Sequence, residues 1–145
     1  MRVLLQRVSR AEVRVGGRTV ARSGPGLLLL VGIGANDAPD DAARMAEKIF
    51  HLRIFEDDDG KMNRSLEETG GEVLMVPQFT LYGNTSRGRR PSWIEAAPPQ
   101  AAAERVETFS VALEALGINV HRGAFREHME VELVNDGPVT LLLEA

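Results

Sequence analysis

Five consecutive aliphatic residues, Leu27-Leu28-Leu29-Leu30-Val31, constrain this chain more than any other feature. The run is bounded by Gly26 and by Gly32-Ile33-Gly34, and it is far shorter than the roughly 20 apolar residues that a membrane-spanning helix needs. A short apolar run between glycines reads as a buried strand, so the chain must fold around a sheet with Leu27–Ile33 near its centre. Further strands are expected before it, at Val3–Val8, Ala11–Val15 and Arg18–Ala21, the last two joined by the turn dipeptide Gly16-Gly17. Asp37-Ala38-Pro39 then opens a helix, with Asp37 as its expected N-cap and Met45, Ile49 and Leu52 on one apolar stripe. Arg53–Glu56 returns to extended structure, Asp57-Asp58-Asp59-Gly60 is turn chemistry, and Glu72–Val76 is the next strand. Tyr82–Pro99 lacks periodicity and is rich in Gly, Pro, Asn, Ser and Arg, which reads as a long surface loop of the kind that often carries function. A second helix runs from Pro98-Pro99 to about Leu116, with Val106, Phe109, Leu113 and Leu116 on one face and Gly117 as its stop. Ile118–His121, Met129–Val134 and Val139–Leu143 complete the chain as strands.

The expected class is therefore α/β: a single strand-rich domain over residues 1–145, with mixed sheets and two main helices. A length of 145 residues, 43% hydrophobic and 26% charged, suits one core. The absence of cysteine excludes a disulfide framework, a thiolate nucleophile and a cysteine-based metal or iron–sulfur site, and fits a reducing cytoplasm. MRVLLQRVSR breaks its apolar stretch at Gln6 and Arg7, so no secretory signal and no membrane association are expected. A net charge of −4 argues against a protein that coats nucleic acid generally, yet Arg87, Arg89 and Arg90 form a local basic cluster. A solvated loop and a phosphate-binding loop are both open readings of that cluster.

Several motifs fail on inspection. Gly32-Ile33-Gly34-Ala35-Asn36-Asp37 lies between a strand and a helix as a dinucleotide fingerprint would, but Asp37 puts a carboxylate where a pyrophosphate needs donors. If Gly60 is the sixth position of a calcium loop, Phe55 and Leu66 fall at its first and twelfth, where ligands are required. Asn84-Thr85-Ser86-Arg87-Gly88 lacks the first glycine of a serine-hydrolase elbow. His51, His121 and His128 show no metal-ligand spacing, and neither a metal nor a cofactor is expected. Two strand-end segments remain, Pro77-Gln78-Phe79-Thr80-Leu81 and Asn135-Asp136-Gly137-Pro138-Val139-Thr140. Composition alone favours an ordinary hairpin turn for the second, since Asn, Asp, Gly and Pro are all turn formers.

At these two segments the sequence resembles the D-aminoacyl-tRNA deacylase family, whose signatures are Ser-Gln-Phe-Thr-Leu and Asn-x-Gly-Pro-Val-Thr. QRVSRAEV (Gln6–Val13), LRIFEDDDGKMN (Leu52–Asn63), GRRPSW (Gly88–Trp93) and AAPP (Ala96–Pro99) extend the resemblance almost end to end. It implies a homodimer that hydrolyses D-aminoacyl-tRNA without a cofactor, Gln78, Phe79 and Thr80 forming the catalytic pocket for the 3′-terminal adenosine and its ester. Gly137 and Pro138 would be the chirality filter, flanked by Asn135, Val139, Thr140 and Met129 on the substrate side. In the family this Gly-Pro bond is cis and reaches into the partner's pocket. Arg87, Arg89 and Arg90 would contact phosphates of the tRNA 3′ end. A non-catalytic RNA- or single-strand-binding protein is the alternative, and a generic small-molecule esterase would need a nucleophile–base pair that the sequence lacks.

The chemistry fits the resemblance. An enzyme that accepts many D-side chains must read geometry at Cα, which steric and polar exclusion does well. An aminoacyl ester is already activated, so placing a water and binding an oxyanion by the N–H groups around Phe79 and Thr80 can suffice, with help from the ribose 2′-hydroxyl. Pro77 departs from the family's serine, so it supplies no hydroxyl and no backbone donor there.

Overall fold

The computed structural model describes all residues, 1–145. Its organising element is β1 (Arg2–Val15), a single strand of 14 residues where the sequence suggests two. Val3, Leu5, Val8, Ala11 and Val13 are buried along it. One edge of β1 pairs antiparallel first with β3 (Gly26–Gly32) and then with β2 (Arg18–Ser23). Its other edge carries β8 (Met129–Glu144), which runs antiparallel along nearly its whole length. Beyond β3 the sheet continues in parallel through β6 (Glu72–Pro77) and β7 (Val120–Arg122), giving the order β2-β1-β3-β6-β7 with β8 on β1. The apolar run is central, as its composition demands: Leu27, Leu28 and Leu29 are fully buried.

Three α-helices are present, one more than expected. α1 (Asp41–His51) buries Ala42, Met45, Ala46 and Ile49, and α3 (Pro99–Ala115) buries Val106, Phe109, Ser110 and Leu113. Both sets follow the i, i+3, i+4, i+7 rule. The two helices close the main core against one face of the sheet, while Leu52 packs at its edge from the position after α1. Asp40, not Asp37, precedes α1. Asp37 is engaged instead by the Met1 amine at 2.5 Å and the Gly34 N–H at 2.7 Å, an earlier turn that leaves it no helix to cap. The short α2 (Leu66–Thr69) is absent from the sequence reading although Ser65 and Glu68 form a full capping box, with bonds of 3.3 and 2.7 Å. β4 (Phe55–Glu56) and β5 (Met62–Arg64) form a small hairpin around the acidic turn. No helix is long and apolar enough to cross a membrane.

The other sheet face holds a second cluster of Val8, Ala11, Val13, Leu28, Leu74 and Val76, with Leu30, Met129, Val131 and Leu133 packed against it. The start of β8 therefore curls over the sheet and meets the end of β6. That curl gives the molecule its nearly barrel-like form.

Candidate active site and the family of the chain

The two signature segments have different local structures. After Pro77 closes β6, the Gln78 N–H donates to Val31 O at 2.7 Å and the chain enters a 3₁₀ turn, Phe79–Tyr82. This turn approaches β3 so closely that a Cβ on Gly32 would lie 3.0 Å from Gln78 O and 3.1 Å from Leu81 Cβ. Arg2 anchors it from the start of β1: its Nη1 donates to Leu81 O at 2.9 Å and its guanidinium lies 4.5 Å from the Tyr82 ring centroid. Within the turn the Gln78 amide donates to the Thr80 hydroxyl. Phe79 is 56% exposed and meets Trp93 edge to face at 5.2 Å between ring centroids. Met129 lies close by, since a Cβ on Gly123 would sit 3.1 Å from its sulfur and 3.6 Å from Val76 Cα.

The second segment is not a hairpin. β8 passes through it without reversing, and the four residues Asp136–Val139 stand opposite the single residue Arg7. Side chains supply the bonds that the interrupted ladder loses. Asn135 Oδ1 accepts from the Val139 N–H at 2.9 Å, and Thr140 Oγ1 accepts from Asn135 Nδ2 at 2.8 Å and from Gln6 Nε2 at 3.2 Å. Gly137 has φ +131° and is joined to Pro138 by a cis peptide bond; both residues are exposed. Under the bulge lies Arg7, only 4% exposed. Its Nε donates to Asp136 O at 2.9 Å and its Nη1 to Ile54 O at 2.6 Å, while Glu56 is 3.4 Å from Nη2.

Within one chain these segments stay apart. Gln78 lies at the level of Arg2 on the sheet and the bulge at the level of Arg7, with β3 and β1 between β6 and β8. Standard strand dimensions put them about 20 Å apart along the sheet. No hydrogen bond joins Gln78, Phe79 or Thr80 to Gly137 or Pro138.

The model of the D-Tyr-tRNA(Tyr) deacylase family matches residues 4–144. The chain belongs to that deacylase family. A protein of Heliobacterium modesticaldum named D-aminoacyl-tRNA deacylase is 56% identical over 144 residues, covering 99% of this chain and 96% of the relative. A solved chain described as "c-Myc DNA Unwinding Element Binding Protein" superposes with a TM-score of 0.93 at 36% identity, covering 100% of this chain and 99% of its own. A second, "a probable eukaryotic D-amino acid tRNA deacylase", has a TM-score of 0.84 at 20% identity over 98% and 97% of the two chains, which shows the shared fold.

In this deacylase, Arg87, Arg89 and Arg90 occupy the exposed tip of an excursion closed at its base by reciprocal Asn84–Ser92 backbone bonds of 2.8 and 2.9 Å. Beside it is a cavity of about 310 Å³ lined by Asn84, Ser86, Arg87, Ser92, Ile94 and Glu95. No cluster of three or more His, Asp or Glu side chains with metal-holding geometry exists in the chain. His51 contacts Glu47 and Glu67, and His121 contacts Glu72 at 3.0 Å. Sequence reasoning overlooked Arg7, Arg2 and Trp93. Arg7 had a readable signal: it shares the inward phase of β1 with Val3 and Leu5, where an arginine stays only if its donors are used.

Proposed function

We propose that this chain, as a cytoplasmic homodimer, hydrolyses the ester joining a D-amino acid to the 3′ end of tRNA. The observation that carries the reading is the exposed Gly137-Pro138 protrusion, fixed from beneath by a buried arginine and about 20 Å along the sheet from the Gln78–Thr80 turn. A protrusion that rigid is suited to filling a second copy's pocket rather than its own. Val134, Leu141 and Leu142, exposed at 39%, 37% and 54% along β8, supply apolar area on which a second copy can sit.

In the dimer, Gln78, Phe79, Thr80 and Met129 of one copy receive the terminal adenosine and its ester. The partner's Gly137 and Pro138 present backbone atoms to the amino acid, flanked by Asn135, Val139 and Thr140. Backbone atoms can inspect Cα without regard to side-chain identity, so an L-side chain meets the wall and a D-side chain points away. Glycine has nothing to exclude, which makes glycyl-tRNA a second substrate. Water attacks the ester carbonyl, N–H groups around Phe79 and Thr80 hold the oxyanion, and the ribose oxygen leaves with a proton. With Pro77 in place of serine, no hydroxyl at that position takes part. Arg87, Arg89 and Arg90 contact phosphates of the 3′ end.

The test is release of amino acid from matched D- and L-tyrosyl-tRNA at substoichiometric enzyme, with Pro138→Ala and Thr80→Ala as companions. Fast D-release with L spared is expected. Pro138→Ala should slow D-release and narrow the D/L ratio, and the loss in Thr80→Ala should fall well short of the ~100-fold that follows removal of an oxyanion donor. The description of the 36%-identical solved chain favours a second reading, nucleic-acid binding without turnover, and release from neither substrate would select it.

A further inference from the structure

Trp93 is the chain's single tryptophan, and nothing in the reaction above uses it. The residue is 39% exposed, and the neighbouring Ile94 is 90% exposed. The fold nevertheless holds it firmly. The Asn84–Ser92 bridge fixes the backbone just before it, and Gly83 leaves space for the ring, since a Cβ there would come within 2.6 Å of it. Phe79 packs against it edge to face at 5.2 Å, with an interplanar angle of 68°. An exposed aromatic step thus lies between the Gln78–Thr80 turn and the loop that carries Arg87, Arg89 and Arg90.

We propose that Trp93, braced by Phe79, is a stacking platform for the nucleotide that precedes the terminal adenosine in the unpaired RNA 3′ end. The inference rests on the reading of an RNA 3′ end as substrate. Charge and geometry identify the occupant. Three arginines at the tip of the same excursion suit a phosphate backbone, and one of them, Arg87, lines the adjoining cavity together with Ile94, next in the chain to Trp93. Aromatic rings accept any base face, so stacking here adds affinity for a single strand without reading its sequence. Stacking also requires an unpaired base, which separates a frayed 3′ end from duplex.

Intrinsic fluorescence reports on this site alone among tryptophans. The full-length protein is titrated with the trinucleotide CCA and, separately, with adenosine monophosphate, while a labelled CCA follows binding by anisotropy. Quenching of Trp93 by CCA but not by the mononucleotide is expected. Trp93→Ala should weaken CCA by about tenfold, and Trp93→Phe should recover most of that, as stacking predicts. CCA binding without quenching, or no CCA binding at all, overturns the platform. Emission that changes with protein concentration alone assigns the aromatic patch to a second copy and overturns it too. Because deacylation of D-tyrosyl-tRNA is scored separately, an active enzyme with a silent Trp93 refutes the platform and leaves the enzymatic reading standing.

Discussion

Arg7 shows what one residue does when it carries a charge into a sheet. Its guanidinium is buried, and it is kept there by the carbonyls of Asp136 and Ile54 and by the Glu56 carboxylate. Gly137 must be glycine above it, because a Cβ would lie 2.9 Å from Nη2 in a backbone conformation, φ +131°, that other residues rarely adopt. Arg7→Met would leave two carbonyls without their donors and should cost about 3 kcal/mol in urea unfolding. The same variant should narrow the D/L ratio, and full stability with full selectivity would show that Arg7 does not anchor the protrusion. Tyr82 is a second residue with a readable burden. Burial first, and then the Asp37 carboxylate, push its phenol up to about 12 from an ordinary 10.0. The folded state binds this proton more tightly than the unfolded chain. Its contribution to stability is therefore complete below pH 10 and is lost as pH rises from about 10 to about 12. Tyr82 is the only tyrosine, so an ultraviolet titration reads it directly, and a midpoint near 10 would contradict the burial of the phenol beside Asp37.

At the scale of elements, β8 is the informative case. Asn135-Asp136-Gly137-Pro138 has the composition of a turn, and a turn there would have produced two short strands paired with each other. The long β1 offers an alternative partner along its whole edge, so the segment becomes a four-residue bulge on a continuing strand. The choice is made by residues more than 120 positions away, which explains why local composition misleads. The arginine excursion is an element of a different kind, built on two backbone hydrogen bonds and otherwise exposed. If Arg87, Arg89 and Arg90 neutralise about three phosphates, the logarithm of tRNA affinity should fall against the logarithm of salt with a slope of about −2 to −3. A flat dependence would remove the cluster from the RNA interface. A 3₁₀ turn at Phe79–Tyr82 was equally illegible, since it is set by the approach to Gly32 and by the reach of Arg2.

At the scale of the whole molecule, the proposed dimer makes a sharp demand. Two copies carry a charge of −8, twice the −4 of one chain, so capture of tRNA calls for short-range attraction, which the proposed arginine contacts would supply. If each pocket is completed by the other copy, a chain disabled at Gln78 and a chain disabled at Pro138 complement one another. Mixed after unfolding and refolding together, Gln78→Ala and Pro138→Ala chains should gain up to about a quarter of the wild-type rate of D-release over the mean of the two separate variants. Half of the dimers are then mixed, and one of their two pockets is intact. Activity no higher than the mean of the two separate variants would place both motifs in one chain's site.

The sequence alone determined much of this protein. The aliphatic run had to be a central strand, the i, i+3, i+4 spacing of Met45 and Ile49 and of Val106, Phe109 and Leu113 had to make two core helices, and the Gln-Phe-Thr-Leu and Asn-Asp-Gly-Pro-Val-Thr segments carried the family. Each of these is a signal of period or composition that acts over a few residues. Tertiary structure alone decided that β1 is one strand, that Asp37 binds the Met1 amine instead of capping a helix, and that the Gly-Pro segment protrudes instead of turning. It also decided which carbonyls hold the Arg7 guanidinium and that Trp93 meets Phe79. Those outcomes depend on which distant backbone donors and acceptors face one another after folding, and no local pattern encodes that pairing.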